Sequence, residues 1–233
     1  MVEVVVFDLG GTLYLSEKGV AEGNRARFDR MKGMGFEISW DKYQKLTERT
    51  AEIFDEKYAG SVKRFEDGRF SDILFDLWGK EVSWETKVEL DRIFREEWLK
   101  NQELRNSARD VLQFCKDKGM KMGVITNGDG EMTSRIERDE IDHFFDVVVC
   151  STDVGAEKSD LDPFQVFLDS VDVAPEQCLM VGNRMDEDIQ AKKVGMKTVL
   201  LEDDAFERRP VNVKPDYRIG ELKELKDIIK EVC

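Results

Sequence analysis

The sequence has none of the signals that would export a protein or anchor it in a membrane. Its opening, MVEVVVFDLG, carries no basic segment, apolar core or small-residue cleavage site. No apolar stretch approaches the roughly 20 residues of a membrane span. Cysteine is scarce and unpatterned: Cys115, Cys150, Cys178 and Cys233 stand far apart without metal-ligand spacing. The first three lie in or beside apolar segments and read as small core residues in a reducing compartment. Histidine occurs once, at His143 in Ile141-Asp142-His143-Phe144-Phe145, remote in sequence from any motif, so a packing or turn role outweighs a catalytic one. Positive charge is also short. With 36 Lys and Arg against 50 Asp and Glu, the net charge is −14. That field repels nucleic acid and anionic membrane, and it obliges any phosphate site to carry its own local positive charge. The expected protein is cytoplasmic, with neither nucleic acid nor membrane as partner. Nothing in the sequence sets its oligomeric state, and repeats and low-complexity segments are absent.

What is present is a chain of 233 residues, 41% hydrophobic and 37% charged, enough for a core domain and a smaller one under a highly charged surface. Its rich Lys and Glu usage is common in thermophile proteins. Short apolar runs at Val4–Phe7, Met122–Ile125, Phe145–Cys150, Cys178–Val181 and Thr198–Leu201 read as strands. Between them Ala108–Lys118, Glu131–Asp139, Phe164–Val171 and Asp186–Val194 show helical spacing. Single helices between strands imply parallel pairing, hence a doubly wound, three-layer α/β domain of Rossmann-like type. From about Gly19 to Gln102 the apolar residues fall at helical spacings only, with Asp41 and Ser83 as expected N-caps and Gly60, Gly68 and Gly79 as breaks. Trp40, Trp78, Trp84 and Trp98 all lie here and read mostly as core. The predicted organisation is a core of residues 1–15 and 105–233 around an inserted all-helical unit, 16–104. The insert leaves beside the carboxyl end of strand one, where doubly wound folds place their ligands.

The chemistry-bearing residues cluster at strand ends. Phe7-Asp8-Leu9-Gly10-Gly11-Thr12-Leu13 ends a strand in Asp8 and a Gly-Gly turn whose amides can face an anion. A carboxylate there can attack phosphorus, although Asp8 alone could equally cap its own turn. Ile125-Thr126-Asn127-Gly128 ends a second strand in groups that donate to phosphate oxygens. Lys158, in Gly155-Ala156-Glu157-Lys158-Ser159-Asp160, could stabilise both a carboxylate nucleophile and a phosphoryl group. Gly182-Asn183-Arg184-Met185-Asp186-Glu187-Asp188 ends another strand in an acidic loop. It could hold a divalent cation or simply complement a helix dipole.

Arriving together and in order, these four motifs resemble those of the haloacid dehalogenase superfamily, and the insert looks like that family's C1-type helical cap. The resemblance implies Asp8 as nucleophile, with Thr126, Asn127 and Gly128 on the transferring phosphoryl group. It implies Lys158 bridging nucleophile and phosphoryl, and Thr12, Asp186 and Asp188 as supporting residues. Asp8, the Gly10 carbonyl and Asn183 fall at the positions of metal ligands, and the implied cofactor is Mg²⁺. Two positions depart from the family's phosphatases. Gly10 stands where an Asp usually serves as general acid and base, a contribution of roughly 10²–10⁴ in rate. Asn183 stands where a metal-binding Asp is usual, so Mg²⁺ is expected to bind weakly. The expected activity is a phosphatase of small phosphorylated metabolites, possible even at low turnover. A weakly active or non-catalytic phospho-ligand or partner-binding homologue, and a metal-independent 2-haloacid dehalogenase, remain open alternatives. The dehalogenase reading needs halide-holding cap groups, and neither Arg25 nor Arg27 can be placed in that role from sequence.

Overall fold

A computed structural model describes residues 1–202 and 211–232. In chain order it runs β1 (Val4–Phe7), β2 (Tyr14–Leu15), α1 (Glu17–Gly33), α2 (Trp40–Lys57), α3 (Arg69–Trp78), α4 (Trp84–Lys100), β3 (Glu103–Leu104), α5 (Ala108–Asp117), β4 (Lys121–Thr126), α6 (Gly130–Arg138), β5 (Val147–Cys150), α7 (Ser151–Val154), α8 (Asp162–Ser170), β6 (Cys178–Gly182), β7 (Lys197–Leu201), β8 (Tyr217–Ile219) and α9 (Leu225–Val232). The chain divides into two compact units, Met1–Leu15 with Leu104–Cys233, and Ser16–Glu103.

The first unit is built on a six-stranded sheet of order β5-β4-β1-β6-β7-β8, every neighbouring pair parallel. β1 is hydrophobic at all four positions because both of its faces are covered. Val5 and Phe7 pack under α5 and α9 with Val111, Leu112, Ile228 and Ile229. Val4 and Val6 face the opposite layer, with Phe164 and Phe167 of α8. The path runs outward from β1 through β4 to β5, then resumes on the other side of β1 at β6. The switch point therefore lies at β1, flanked by β4 and β6, and a crevice beyond their carboxyl ends is where this topology receives ligands.

The second unit is all-helical, with Phe28, Met31, Tyr43, Leu74, Phe75 and Leu90 at its centre. Ser83 caps α4 by accepting the amide of Thr86, and Gly68 and Gly79 bound α3. The cap of α2 is Ser39, which accepts the amide of Lys42, while Asp41 stands in the first turn. Arg27 is buried and pairs with buried Asp91 at 3.2 Å, its guanidinium lying between the rings of Phe70 and Phe94. Asp91 also accepts the amides of Phe70 and Ser71, satisfying orphan donors at the start of α3. Asp91→Ala strips these partners and leaves a buried cation, so we expect a loss of about 3–5 kcal/mol by chemical denaturation. A denaturation midpoint equal to wild type would contradict that role. Trp40 and Trp78 pack against this core, whereas Trp84 is 44% exposed.

Several elements differ from the sequence reading, the short β2, β3 and α7 among them. Asp188–Val194 forms 3₁₀ turns rather than an α-helix beginning at Asp186, because Asp188 closes back on Arg184 and turns its carboxylate inward. β8 and α9 were not expected. β8 is three residues long and is buried by pairing with β7 at the sheet edge, whereas α9 carries Leu225, Ile228, Ile229 and Val232 at helical spacing, a pattern the sequence reading passed over, and packs them on the α5 layer. No helix among the described residues is long and apolar enough to cross a membrane. Cys115, Cys150 and Cys178 are buried and outside any disulfide, with burial pushing the Cys150 and Cys178 thiols up to about 11, the inert end of thiol behaviour. Cys233 lies outside the described residues.

Candidate active site

Asp8 is the first residue beyond β1, and its amide donates to the Val181 carbonyl at 3.0 Å, fixing it between β1 and β6. The turn that follows consumes its own donors. Thr12, Leu13 and Tyr14 all donate to the Leu9 carbonyl, and Gly11 donates to Tyr14. Among the described residues this leaves the amides of Leu9 and Gly10 outside the network, next to the carboxylate. Gly11 has φ +83°, and a Cβ there would overlap the carboxamide of Asn183. The Gly-Gly pair thus serves a left-handed turn and lets the end of β6 approach it.

The Asp8 carboxylate is buried and held at both oxygens. Thr12 Oγ1 donates to Oδ2 at 3.1 Å, and Lys158 Nζ donates to Oδ1 at 2.7 Å. Lys158, 1% exposed, also donates to the Ile125 carbonyl at 3.3 Å and to Asp188 Oδ1. One ammonium is thereby shared by two buried carboxylates, one beyond β1 and one beyond β6. Burial opposes the charge on Lys158, yet Asp188, Asp8 and Glu187 outweigh it and hold the ammonium above the ordinary lysine value. Burial drives the Asp188 carboxyl well above the usual carboxylate range, with Lys158 working against that rise. Asp188 needs Gly182, where a Cβ would occupy the space of its carboxylate.

Thr126 lies buried at the end of β4. Asn127 accepts the Lys158 amide on Oδ1 at 3.0 Å, which turns Nδ2 the other way; that nitrogen is buried and has no partner. A buried amide donor left in that state is costly unless an anion takes it. The Gly128 amide, expected to face phosphate, donates instead to Ser151 Oγ at 2.9 Å. Asp186 is drawn to Arg184, whose guanidinium donates to it at 2.8 Å and also pairs with Glu187 at 3.1 Å. His143 is exposed and lies against the ring of its neighbour Phe144, in the turn before β5.

Among the described residues no group of three His, Cys, Asp or Glu side chains is arranged to hold a metal. The oxygens that remain are those of Asp8, the Gly10 carbonyl and Asn183, whose carboxamide lies against the Gly-Gly turn. This all-oxygen set suits a hard cation that keeps most of its water, with one carboxylate where two are usual.

Several contributors had no readable signal. Arg105 donates to the Gly11 and Thr12 carbonyls, and a single arginine in a loop reads as solvated surface. Arg135 is buried over the ring of Tyr14. Burial pulls its guanidinium down to about 10 and the charge of Asp8 works the other way, so it stays cationic near Asp8. Ser151 likewise acts through a contact, to Gly128, that only the fold creates.

A doubly wound sheet with a carboxylate–lysine–carboxylate arrangement at its switch point defines a Rossmann-like enzyme that acts beyond the strand ends. Comparison with known proteins makes this specific. The model of the haloacid dehalogenase-like hydrolases matches residues 2–194, and the chain belongs to that family. It is 29% identical to the glyceraldehyde 3-phosphate phosphatase of Methanocaldococcus jannaschii, over 100% of this chain and 99% of that protein. A HAD phosphatase from Thermococcus onnurineus has the same fold, with a TM-score of 0.71 at 24% identity and 97% of each chain covered. The fold is equally that of a 2-haloacid dehalogenase from Pseudomonas syringae pv. Tomato, with a TM-score of 0.68 at 19% identity and 100% of each chain covered. Fold alone therefore does not choose between phosphate and halide.

Proposed function

We propose that the protein hydrolyses small phosphate monoesters through an aspartyl-phosphate on Asp8. The observation that carries this reading is the buried Asn127 Nδ2 donor, turned away from Lys158 beside a carboxylate already paired to that ammonium. An Asp8 oxygen attacks phosphorus as the ester oxygen leaves. Thr12 and Lys158 keep the carboxylate oriented, and Lys158 shares its charge with the incoming phosphoryl oxygens. Asn127 Nδ2, Thr126 and the amides of Leu9 and Gly10 receive the oxygens that gain charge. Water then attacks the acyl-phosphate, releasing phosphate and restoring the carboxylate. Mg²⁺, when bound, would be held by Asp8, the Gly10 carbonyl and Asn183, and would neutralise part of the charge on the transferring group. A triose phosphate is the first substrate to try, given the similarity to the glyceraldehyde 3-phosphate phosphatase of Methanocaldococcus jannaschii. Dehalogenation has less support, because Arg27 is engaged inside the helical unit with Asp91.

Turnover of an aryl phosphate and of glyceraldehyde 3-phosphate, with and without Mg²⁺, beside a 2-haloacid, tests the reading. Phosphate release is expected only from the esters, and halide release without metal would reverse the assignment. Two variants extend it. Gly10 is not among the residues with a left-handed backbone, so Gly10→Asp can place a carboxyl beside the leaving group without strain. It should raise turnover about tenfold or more. An equally stable variant with no gain on any ester would show that proton transfer is not what limits this site. Asn183→Asp keeps the side-chain shape while adding a negative charge, and calorimetry should show Mg²⁺ binding about tenfold tighter. Equal or weaker affinity would remove Asn183 from the metal site.

A further inference from the structure

We infer that Arg105 is a positioning residue that sets the orientation of the Asp8 carboxylate by holding the turn that follows it. The inference rests on the phosphatase reading for its kinetic consequence, and on geometry alone for the holding itself. Arg105 directly follows β3, where the chain returns from the helical insert. Its main-chain amide donates to the Leu13 carbonyl at 2.8 Å, Nε donates to the Thr12 carbonyl at 3.1 Å, and Nη2 donates to the Gly11 carbonyl at 2.9 Å. Three consecutive carbonyls are thus gathered by one residue, two of them by a rigid charged fork.

A peptide plane is stiff, so fixing a carbonyl fixes the amide on its other side. With the Gly11 carbonyl drawn to Arg105, the Thr12 amide is aimed at Leu9, where it donates at 3.3 Å. With the Thr12 carbonyl drawn the same way, the Thr12 side chain projects to Asp8 and donates to Oδ2 at 3.1 Å. The second constraint on Asp8, Lys158, reaches the other oxygen. Without Thr12 the carboxylate keeps one anchor and can rotate about it. Glycine at 10 and 11 supplies no stiffness of its own, so the restraint on this turn has to come from outside it. Arg105 acts on Asp8 through the Gly11 and Thr12 carbonyls, which is why its role is positioning.

The test uses Arg105→Met and Arg105→Lys in the full chain, with hydrogen exchange and steady-state kinetics on an aryl phosphate. In Arg105→Met, exchange should quicken in peptides covering residues 9–14 while α5, β4 and β6 keep wild-type protection. kcat should fall about 10–100-fold with KM within about threefold, since misplacing a reacting group by about 1 Å costs that much. Arg105→Lys, which keeps the charge but loses the planar two-nitrogen fork, should recover part of kcat relative to Arg105→Met, as should methylguanidine added to an Arg105→Ala protein. Unchanged exchange in residues 9–14 overturns the inference, whatever the activity. Faster exchange with unchanged kcat also overturns it, by reducing Arg105 to a structural brace. If the wild-type protein hydrolyses no phosphate ester, the phosphatase reading fails on its own, and the exchange result still decides whether Arg105 holds the turn.

Discussion

Asp8→Asn leaves a folded protein with no measurable phosphate-ester turnover. The substitution keeps the side chain's size; its amide oxygen can accept from Lys158 while its Nδ2 donates to the Thr12 hydroxyl, so the strand end and its turn persist. What disappears is the nucleophile. A carboxamide is a far poorer nucleophile than a carboxylate, so the covalent route closes and the loss should be several orders of magnitude in kcat. Lys158 and Asp188 then form a simple pair inside the protein. The variant should melt close to wild type and still bind inorganic phosphate, because the Asn127 donor and the Leu9 and Gly10 amides are untouched. Wild-type turnover in carefully purified Asp8→Asn protein would remove Asp8 from the mechanism.

Lys158→Met should damage both stability and turnover. It removes the one cation shared by Asp8 and Asp188, leaving two buried carboxylates without their partner. Breaking such an arrangement costs about 3–5 kcal/mol. The pair relieves itself by taking up a proton, since burial already drives Asp188 toward its neutral form. A carboxyl whose affinity for protons is raised on folding contributes stability at low pH that is lost as pH rises through its folded value. The variant should therefore melt progressively lower from mildly acidic to alkaline buffer. Turnover should fall about 10²–10³-fold, the usual cost of a lost charge-stabilising donor. A melting temperature flat with pH would show that the carboxylates do not depend on Lys158.

The two variants separate roles that the motifs alone leave merged. Asp8 was readable because a continuous apolar strand ends on it and a Gly-Gly turn follows. That pattern has a backbone reason, since the turn at Gly11 requires a left-handed conformation. Lys158 was readable only in company: one lysine in a polar loop is ordinary surface, and its 1% exposure follows from the loop after α7 being folded under the strand ends. Gly128 illustrates the opposite case. Its amide sits in the expected loop, yet Ser151, far along the chain, takes it. Asp186 belongs to an acidic run that reads as a metal loop, but the arginine two residues earlier claims it. Side-chain hydrogen bonds of this kind depend on exact distances, and spacing along a sequence does not encode them.

By itself the sequence determined the layered α/β core, the inserted helices and the four strand ends at which chemistry is possible. These follow from periodicity and turn chemistry, which act over a few residues and leave a local imprint. Tertiary structure alone decided which groups meet at those ends. It set one ammonium between Asp8 and Asp188, held Asn127 by the Lys158 amide with its Nδ2 turned away, and brought Arg105 onto the carbonyls behind Asp8. The order of strands across the switch point is the physical reason. Placing β1 between β4 and β6 gathers residues more than a hundred positions apart into one buried site, where a single charge or donor has its full electrostatic effect.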